Sequence, residues 1–169
     1  MAVTNSLHPH IVASLIAAGA DVNATIATMD HTAGTLSGET ALHAAASHGD
    51  RKGHIPLLLA ASASVDAMSS QGKRQTPLEY AIHQHIYHTK FLRRAYPHLL
   101  RAGARIPLPR YREIPYIDKV VAAGGYVRYE RAHRASLAAI FVPKFPQLPE
   151  EVVPVVVGFL GTHWVLLSR

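Results

Sequence analysis

The sequence predicts an all-α fold, a solenoid of helix–turn–helix repeats joined by hairpin-like loops and followed by a helical C-terminal cap. Three observations carry that expectation. The stretch Gly38-Glu39-Thr40-Ala41-Leu42-His43-Ala44-Ala45-Ala46-Ser47-His48-Gly49 leads from a glycine turn through a short apolar helix to a second glycine. Its start recurs as Thr76-Pro77-Leu78-Glu79-Tyr80-Ala81-Ile82. A second phrase, Ala17-Ala18-Gly19-Ala20-Asp21-Val22-Asn23-Ala24, recurs as Ala60-Ala61-Ser62-Ala63-Ser64-Val65-Asp66-Ala67 and, more loosely, as Arg101-Ala102-Gly103-Ala104-Arg105-Ile106.

Each part of the repeated phrase has a local physical use. Thr40 is suited to cap a helix start, its hydroxyl accepting an orphan backbone N–H. Leu42, Ala45 and Ala46 share one helical face, and alanines let a neighbouring helix approach closely. Gly49 can end the helix in a left-handed conformation. So short a helix is not stable alone in water, and the copies supply its neighbours.

Two starts and three ends in this order resemble the ankyrin repeat. That signature pairs a Thr-Pro-Leu-His-x-Ala start with a Gly-Ala-Asp-Val-Asn-Ala end at a period of about 33 residues. The resemblance spans residues 9–107. It divides residues 1–107 into a partial repeat (9–24), a complete one (38–67) and an irregular one (74–106), and leaves 108–169 as a helical extension that caps the array. It also implies that His43 makes structural hydrogen bonds beneath the hairpin. Glu79 replaces the second signature histidine, so that imidazole bond is expected to be absent there.

In chain order, residues 9–18 read as the second helix of the first repeat, with Pro9 in its first turn, Ile11, Leu15 and Ile16 as its apolar stripe and Gly19 as its stop. Its inner partner is missing from the pattern, so an irregular cap or a longer array is expected there, with an apolar edge left open. Residues 24–37 form an insertion at the first hairpin tip, rich in Thr25, Thr28, Asp30, His31, Thr32, Thr35 and Ser37. Pro56 is expected to open a compact second helix, 56–61, and Pro97 to do the same in the following repeat. Ser62 stands where glycine is usual, which should strain or shift a left-handed turn. Residues 68–75 form the second hairpin tip, with Gly72-Lys73-Arg74 at the turn.

Beyond Pro107 and Pro109 the pattern stops. Helices are expected over 114–123, 126–141 and 150–159, the second with Tyr129, His133, Leu137 and Ile140 on one stripe. The segment Leu148-Pro149-Glu150-Glu151-Val152-Val153, with Phe159-Leu160 after it, resembles the opening of an F-box. That resemblance implies a ubiquitin-ligase subunit as a partner of residues 148–160.

Composition bounds the function. Hydrophobic residues make up 49% and charged ones 17% of the chain, the balance of a folded protein. There is no cysteine, so disulfides and thiolate metal sites are excluded, which suits an intracellular setting, cytoplasmic or nuclear. No signal peptide is visible in the first residues, and the apolar stretch 152–167 is too short and too interrupted for a membrane span. Net charge is +6, yet residues 90–134 hold eleven Lys and Arg against three Asp and Glu. Such a stretch reads either as solvated helix faces or as a surface for nucleic acid or an acidic partner; no aromatic-and-basic motif accompanies it.

No enzyme motif is present: no phosphate loop, no nucleophile elbow, no His-Glu-x-x-His. The histidines His83, His85 and His88 lie about 200° and about 500° apart around a helix, so they do not converge on a metal. No metal or other cofactor is expected. The expected function is protein binding without catalysis. Carried over from the repeat family, the partner-facing positions are Thr25, Glu39, Ser47 and His48, then Met68, Lys73, Gln75, His83 and Gln84.

Overall fold

The structure, a computed structural model, describes residues 8–26, 29–30, 35–36, 38–50, 53–69, 74–87, 94–106, 114–144, 147, 149, 151–153 and 155–156. The chain divides into two units, Met1–Ile106 and Pro107–Arg169.

In the first unit, Pro9 stands at the start of α1, Pro9–Ala17. An N–H is not needed at that position, so proline is tolerated there. Two short antiparallel ladders follow: β1 (Thr25–Ile26) pairs with β4 (Glu39–Thr40), and β2 (Met29–Asp30) with β3 (Thr35–Leu36). The inserted tip is thus continued as a β-hairpin, with Thr25 opposite Thr40 and Met29 opposite Leu36. Then come α2 (Ala41–Ser47), α3 (His54–Ala60), α4 (Pro77–Tyr87) and α5 (Ala95–Arg101).

Packing sorts these helices into two layers. α2 lies against α4 on one side, while α1, α3 and α5 contact in series on the other, and α2–α3 and α4–α5 join the layers. Between them Leu42, Ala46, Ile55, Leu78, Ala81, Ile82, Ala95, Tyr96 and Leu99 are fully buried. Each large aliphatic side chain among them contributes roughly 1.5–3 kcal/mol. Alanines hold the close contact: Ala45 and Ala46 on α2 and Ala81 on α4 are all buried.

The outer helices close in the same way. Ala20 N–H donates to Leu15 O, Ala63 N–H to Leu58 O and Ala104 N–H to Leu99 O, each at 3.0 Å. This is the backbone bond of a helix end that turns left-handed. The residue before each alanine has positive φ: Gly19 at 83°, Ser62 at 65° and Gly103 at 91°. The turn at Ser62 is therefore kept, and strained, rather than shifted.

The second helices begin earlier than the prolines suggest. α3 starts at His54 and α5 at Ala95, so Pro56 and Pro97 each occupy the third position instead of the first. The physical reason is that all N–H groups of a first turn lack helical partners, so proline fits anywhere within it. α3 gains a start of its own from Asp50, whose Oδ1 accepts the Ile55 N–H at 2.9 Å.

The second unit holds α6 (Pro115–Ala122), α7 (Tyr126–Phe141) and a 3-10 turn, Val142–Lys144. α6 packs on α7 across the Gly124-Gly125 turn, burying Ile117, Val120, Tyr126 and Leu137. Tyr129 meets Tyr116 edge-on at 5.5 Å and stacks on His133 at 5.6 Å. Burial pushes the Tyr116 hydroxyl well above its usual pKa, with the neighbouring tyrosines adding to it. Ile140, expected on the same stripe, is 51% exposed, because α7 outruns the shorter α6.

Candidate partner-binding surface of the repeat unit

The hairpin bases rest on a buried polar network. Thr40 and His43 form a reciprocal cap at the start of α2, in which the hydroxyl accepts the His43 N–H and the ring accepts the Thr40 N–H. The latter bond, Thr40 N to His43 Nδ1, is 3.2 Å. With Nδ1 an acceptor, the ring proton sits on Nε2, which donates to the Gln75 carbonyl at 2.9 Å. His43 is fully buried. Burial pushes its pKa below the ordinary imidazole value, against the raising effect of the Gln75 carbonyl. The imidazole is therefore held neutral and ties one repeat to the hairpin of the next.

Gln75 is fixed from both sides: its N–H donates to Ser69 Oγ at 2.9 Å and its carbonyl also accepts the Ser69 N–H at 3.0 Å. At the next repeat Glu79 takes over the cap. Its Oε2 accepts the Thr76 N–H at 2.8 Å, and Thr76 Oγ1 accepts the Glu79 N–H at 3.3 Å. A carboxylate only accepts, so Glu79 keeps the cap but has no proton to give a following carbonyl.

A second set of cross-repeat bonds runs along the outer ends. Asn23 Oδ1 accepts the Ser64 N–H at 2.8 Å, and Asn23 Nδ2 donates to Ser62 O at 3.3 Å. One repeat on, Asp66 Oδ1 accepts the Arg105 N–H at 3.0 Å, with Arg105 Nε 3.3 Å from Asp66 Oδ2. Asn23 and Asp66 hold the same place in their phrases, as do Ser64 and Arg105. Sequence reasoning quoted these residues as a pattern and missed their use; the signal was the amide or carboxylate kept at that place.

Asp50 is a further buried acid, its side chain 3% exposed, with Oδ2 4.0 Å from His98 Nε2 on α5. Burial raises its carboxyl from the ordinary 3.8 to about 6. The same cause lowers His98, with Arg101 adding to it.

Against this frame the expected contact residues separate. Thr25 and His48 are exposed, Met68 is 45% exposed, and Ser47 and His83 are half-buried. His48 Nδ1 donates to Ala44 O at 2.8 Å, which turns Nε2 away from the helix end, and Ser47 Oγ donates to the same carbonyl at 2.9 Å. Glu39 and Gln75 do not belong with them. Both are buried, at 9% and 7%, and Tyr80 Oη donates to Glu39 Oε1. The Gln75 backbone is held between Ser69 and His43, and the Glu39 carboxylate by Tyr80 on α4, which is the physical reason these positions are buried. Gln84 lies within α4, and Lys73 lies outside the described residues.

Of the F-box-like segment, Pro149, Glu151, Val152, Val153, Val155 and Val156 are described. Val152 N–H donates to Pro149 O at 2.9 Å and Val156 N–H to Val152 O at 3.0 Å, and Val152 and Val155 are exposed. The remainder of that segment lies outside the described residues, as do residues 1–7. Among the described residues no three His, Asp or Glu side chains are placed to hold a metal, and no helix is long and apolar enough to cross a membrane.

No curated protein and no solved structure matches the chain. A family model described as ankyrin repeats (3 copies) matches residues 1–99. That match joins the two-layer helix stack, the capped Thr starts and the left-handed outer-helix ends: the chain belongs to the ankyrin-repeat family, whose members generally serve as protein–protein interaction modules.

Proposed function

We propose that the repeat unit is a non-enzymatic scaffold that binds a partner protein through its inner-helix ends and hairpin fingers. The observation that supports this best is a division among its polar residues. His43, Gln75 and Glu39 are buried and Asn23, though exposed, is bonded to the next repeat, whereas Thr25, Ser47, His48, Met68 and His83 keep side-chain surface toward solvent. A frame locked from within loses little conformational freedom when it binds. Lys73 and Gln84 share the expected surface by their places in the repeat. The cysteine-free composition fits an intracellular setting.

Affinity capture with the full chain, compared with a variant carrying Thr25→Ala, Ser47→Ala, His48→Ala, Met68→Ala and His83→Ala, tests the reading. A partner held by the wild type and lost by an equally stable variant is expected. Equal capture by both overturns it.

A second reading is favoured by the exposed Val152 and Val155 in the F-box-like segment. In that reading the repeats present a substrate and residues 148–160 dock on a ubiquitin-ligase subunit. Co-purification of ligase subunits, abolished by deleting 148–160, is the expected result; none with the intact chain excludes it.

A further inference from the structure

The described carboxylates of the repeat unit are engaged within the chain. Asp21 accepts the Asn23 N–H at 2.9 Å, Glu39 accepts from Tyr80, Asp50 from Ile55, Asp66 from Arg105 and Glu79 from Thr76. The Asp30 side chain lies outside the described residues. At the second finger the sequence between Ala67 and Thr76 carries only Lys73 and Arg74 as charged residues.

Arg74 is also conformationally unusual. Its φ is 41°, in the left-handed region that a side chain with a Cβ disfavours. Two residues later the chain reaches Thr76, just as Gly38 precedes Thr40, and Gly38 has φ 54°. The first finger therefore fills the position with the residue suited to it, and the second fills it with an exposed arginine. No described residue accepts a hydrogen bond from the Arg74 guanidinium or pairs with it, so the described part of the array does not account for the side chain. At the base of the same finger Met68 is 45% exposed, in the place that Thr25 holds on the first finger.

We propose that the second finger recognises an acidic segment of the partner, with Arg74 pairing a carboxylate and Met68 contacting an apolar side chain beside it. The charge complement is the argument. Of the described carboxylates, Glu39 and Glu79 are engaged within the chain, while the exposed Arg74 is cationic, so a segment rich in Asp or Glu meets attraction there. A guanidinium also matches a carboxylate in two-point geometry, which lysine cannot offer. This inference rests on the binding reading above and names the chemistry of its partner.

The test pans a random-sequence peptide library displayed on phage against the full chain, then measures selected peptides by fluorescence polarisation against wild type, Arg74→Gly and Met68→Ser. The expected peptides carry net negative charge with an apolar residue next to an acid. They bind Arg74→Gly at least five-fold more weakly and Met68→Ser more weakly too, with the Arg74 effect shrinking as salt rises. Arg74→Gly restores the residue that the first finger uses, so its melting temperature should equal or exceed that of wild type. Enriched peptides of neutral or positive charge, or acidic peptides that bind Arg74→Gly unchanged, overturn the inference while leaving the scaffold reading intact. Failure to enrich any peptide overturns both.

Discussion

The single residue that most clearly conflicts with its position is Ser62. It carries φ 65° at a site where the sister turns use Gly19 and Gly103. Its N–H bond to Leu59 O, 3.1 Å, matches the corresponding bonds at those glycines, so the turn is kept despite the Cβ. Ser62→Gly should raise stability by about 1 kcal/mol, the usual difference at a left-handed site, measurable as a shift in urea midpoint with unchanged slope. Asp50 and His43 set opposite pH dependences. The Asp50 carboxyl, raised from 3.8 to about 6 by burial, binds protons more tightly in the folded state. Its contribution is greatest below about pH 4 and is lost as pH rises through about 6. His43 is shifted down by burial, so its contribution is complete above about pH 6.5 and is lost as pH falls below that value. Asp50→Asn keeps an acceptor for the Ile55 N–H and removes the buried charge. It should therefore gain up to about 3 kcal/mol at pH 7, and lose the decline in stability between pH 4 and 6. Urea midpoints from pH 4 to 8 check this; a parallel offset at every pH would contradict it.

At the scale of elements, the starts of α2 and α4 solve one problem with different chemistry. Both need a cap for the first turn and both use Thr, but His43 completes one box and Glu79 the other. Glu79→Ala should cost about 1 kcal/mol by leaving the Thr76 N–H without its partner, whereas Glu79→Gln should retain most of that bond; circular dichroism melts of both variants decide it. These starts were legible in the sequence because caps are local: Thr40 and Thr76 announce them by type and spacing. So were the outer-helix ends, marked by Gly19, Ser62 and Gly103. The positions of Pro56 and Pro97 were legible only to within a turn, since proline is compatible with every place in a helix's first turn. The pairing of β2 with β3 was not legible, because the threonine-rich tip reads equally well as a loop or a hairpin.

At the scale of the molecule, the repeat unit is held by contacts between residues far apart in sequence. His43 reaches Gln75, Asn23 reaches Ser62 and Ser64, and Asp66 reaches Arg105. The family signature exposed where these residues stand, but which of them turn inward was visible only in the fold. Glu39 and Gln75 show the limit: as polar residues beside a hairpin they read as surface, yet both are buried, Glu39 under a bond from Tyr80 and Gln75 with its backbone N–H on Ser69. The account's central claim is that buried His43 locks the stack while Ser47 and His48, at the other end of the same helix, keep surface for contact. His43 and His48, five residues apart on one short helix and its cap, offer the most direct comparison. His43→Ala removes the Thr40 and Gln75 bonds and leaves a cavity, a loss of about 2–4 kcal/mol, while His48→Ala removes an exposed ring. Thermal unfolding of the two variants beside wild type should show the midpoint lowered by roughly 10 °C or more for His43→Ala and far less for His48→Ala, which loses only exposed bonds to Ala44 O and Ser47. Equal losses, or a larger loss at His48, would contradict the account.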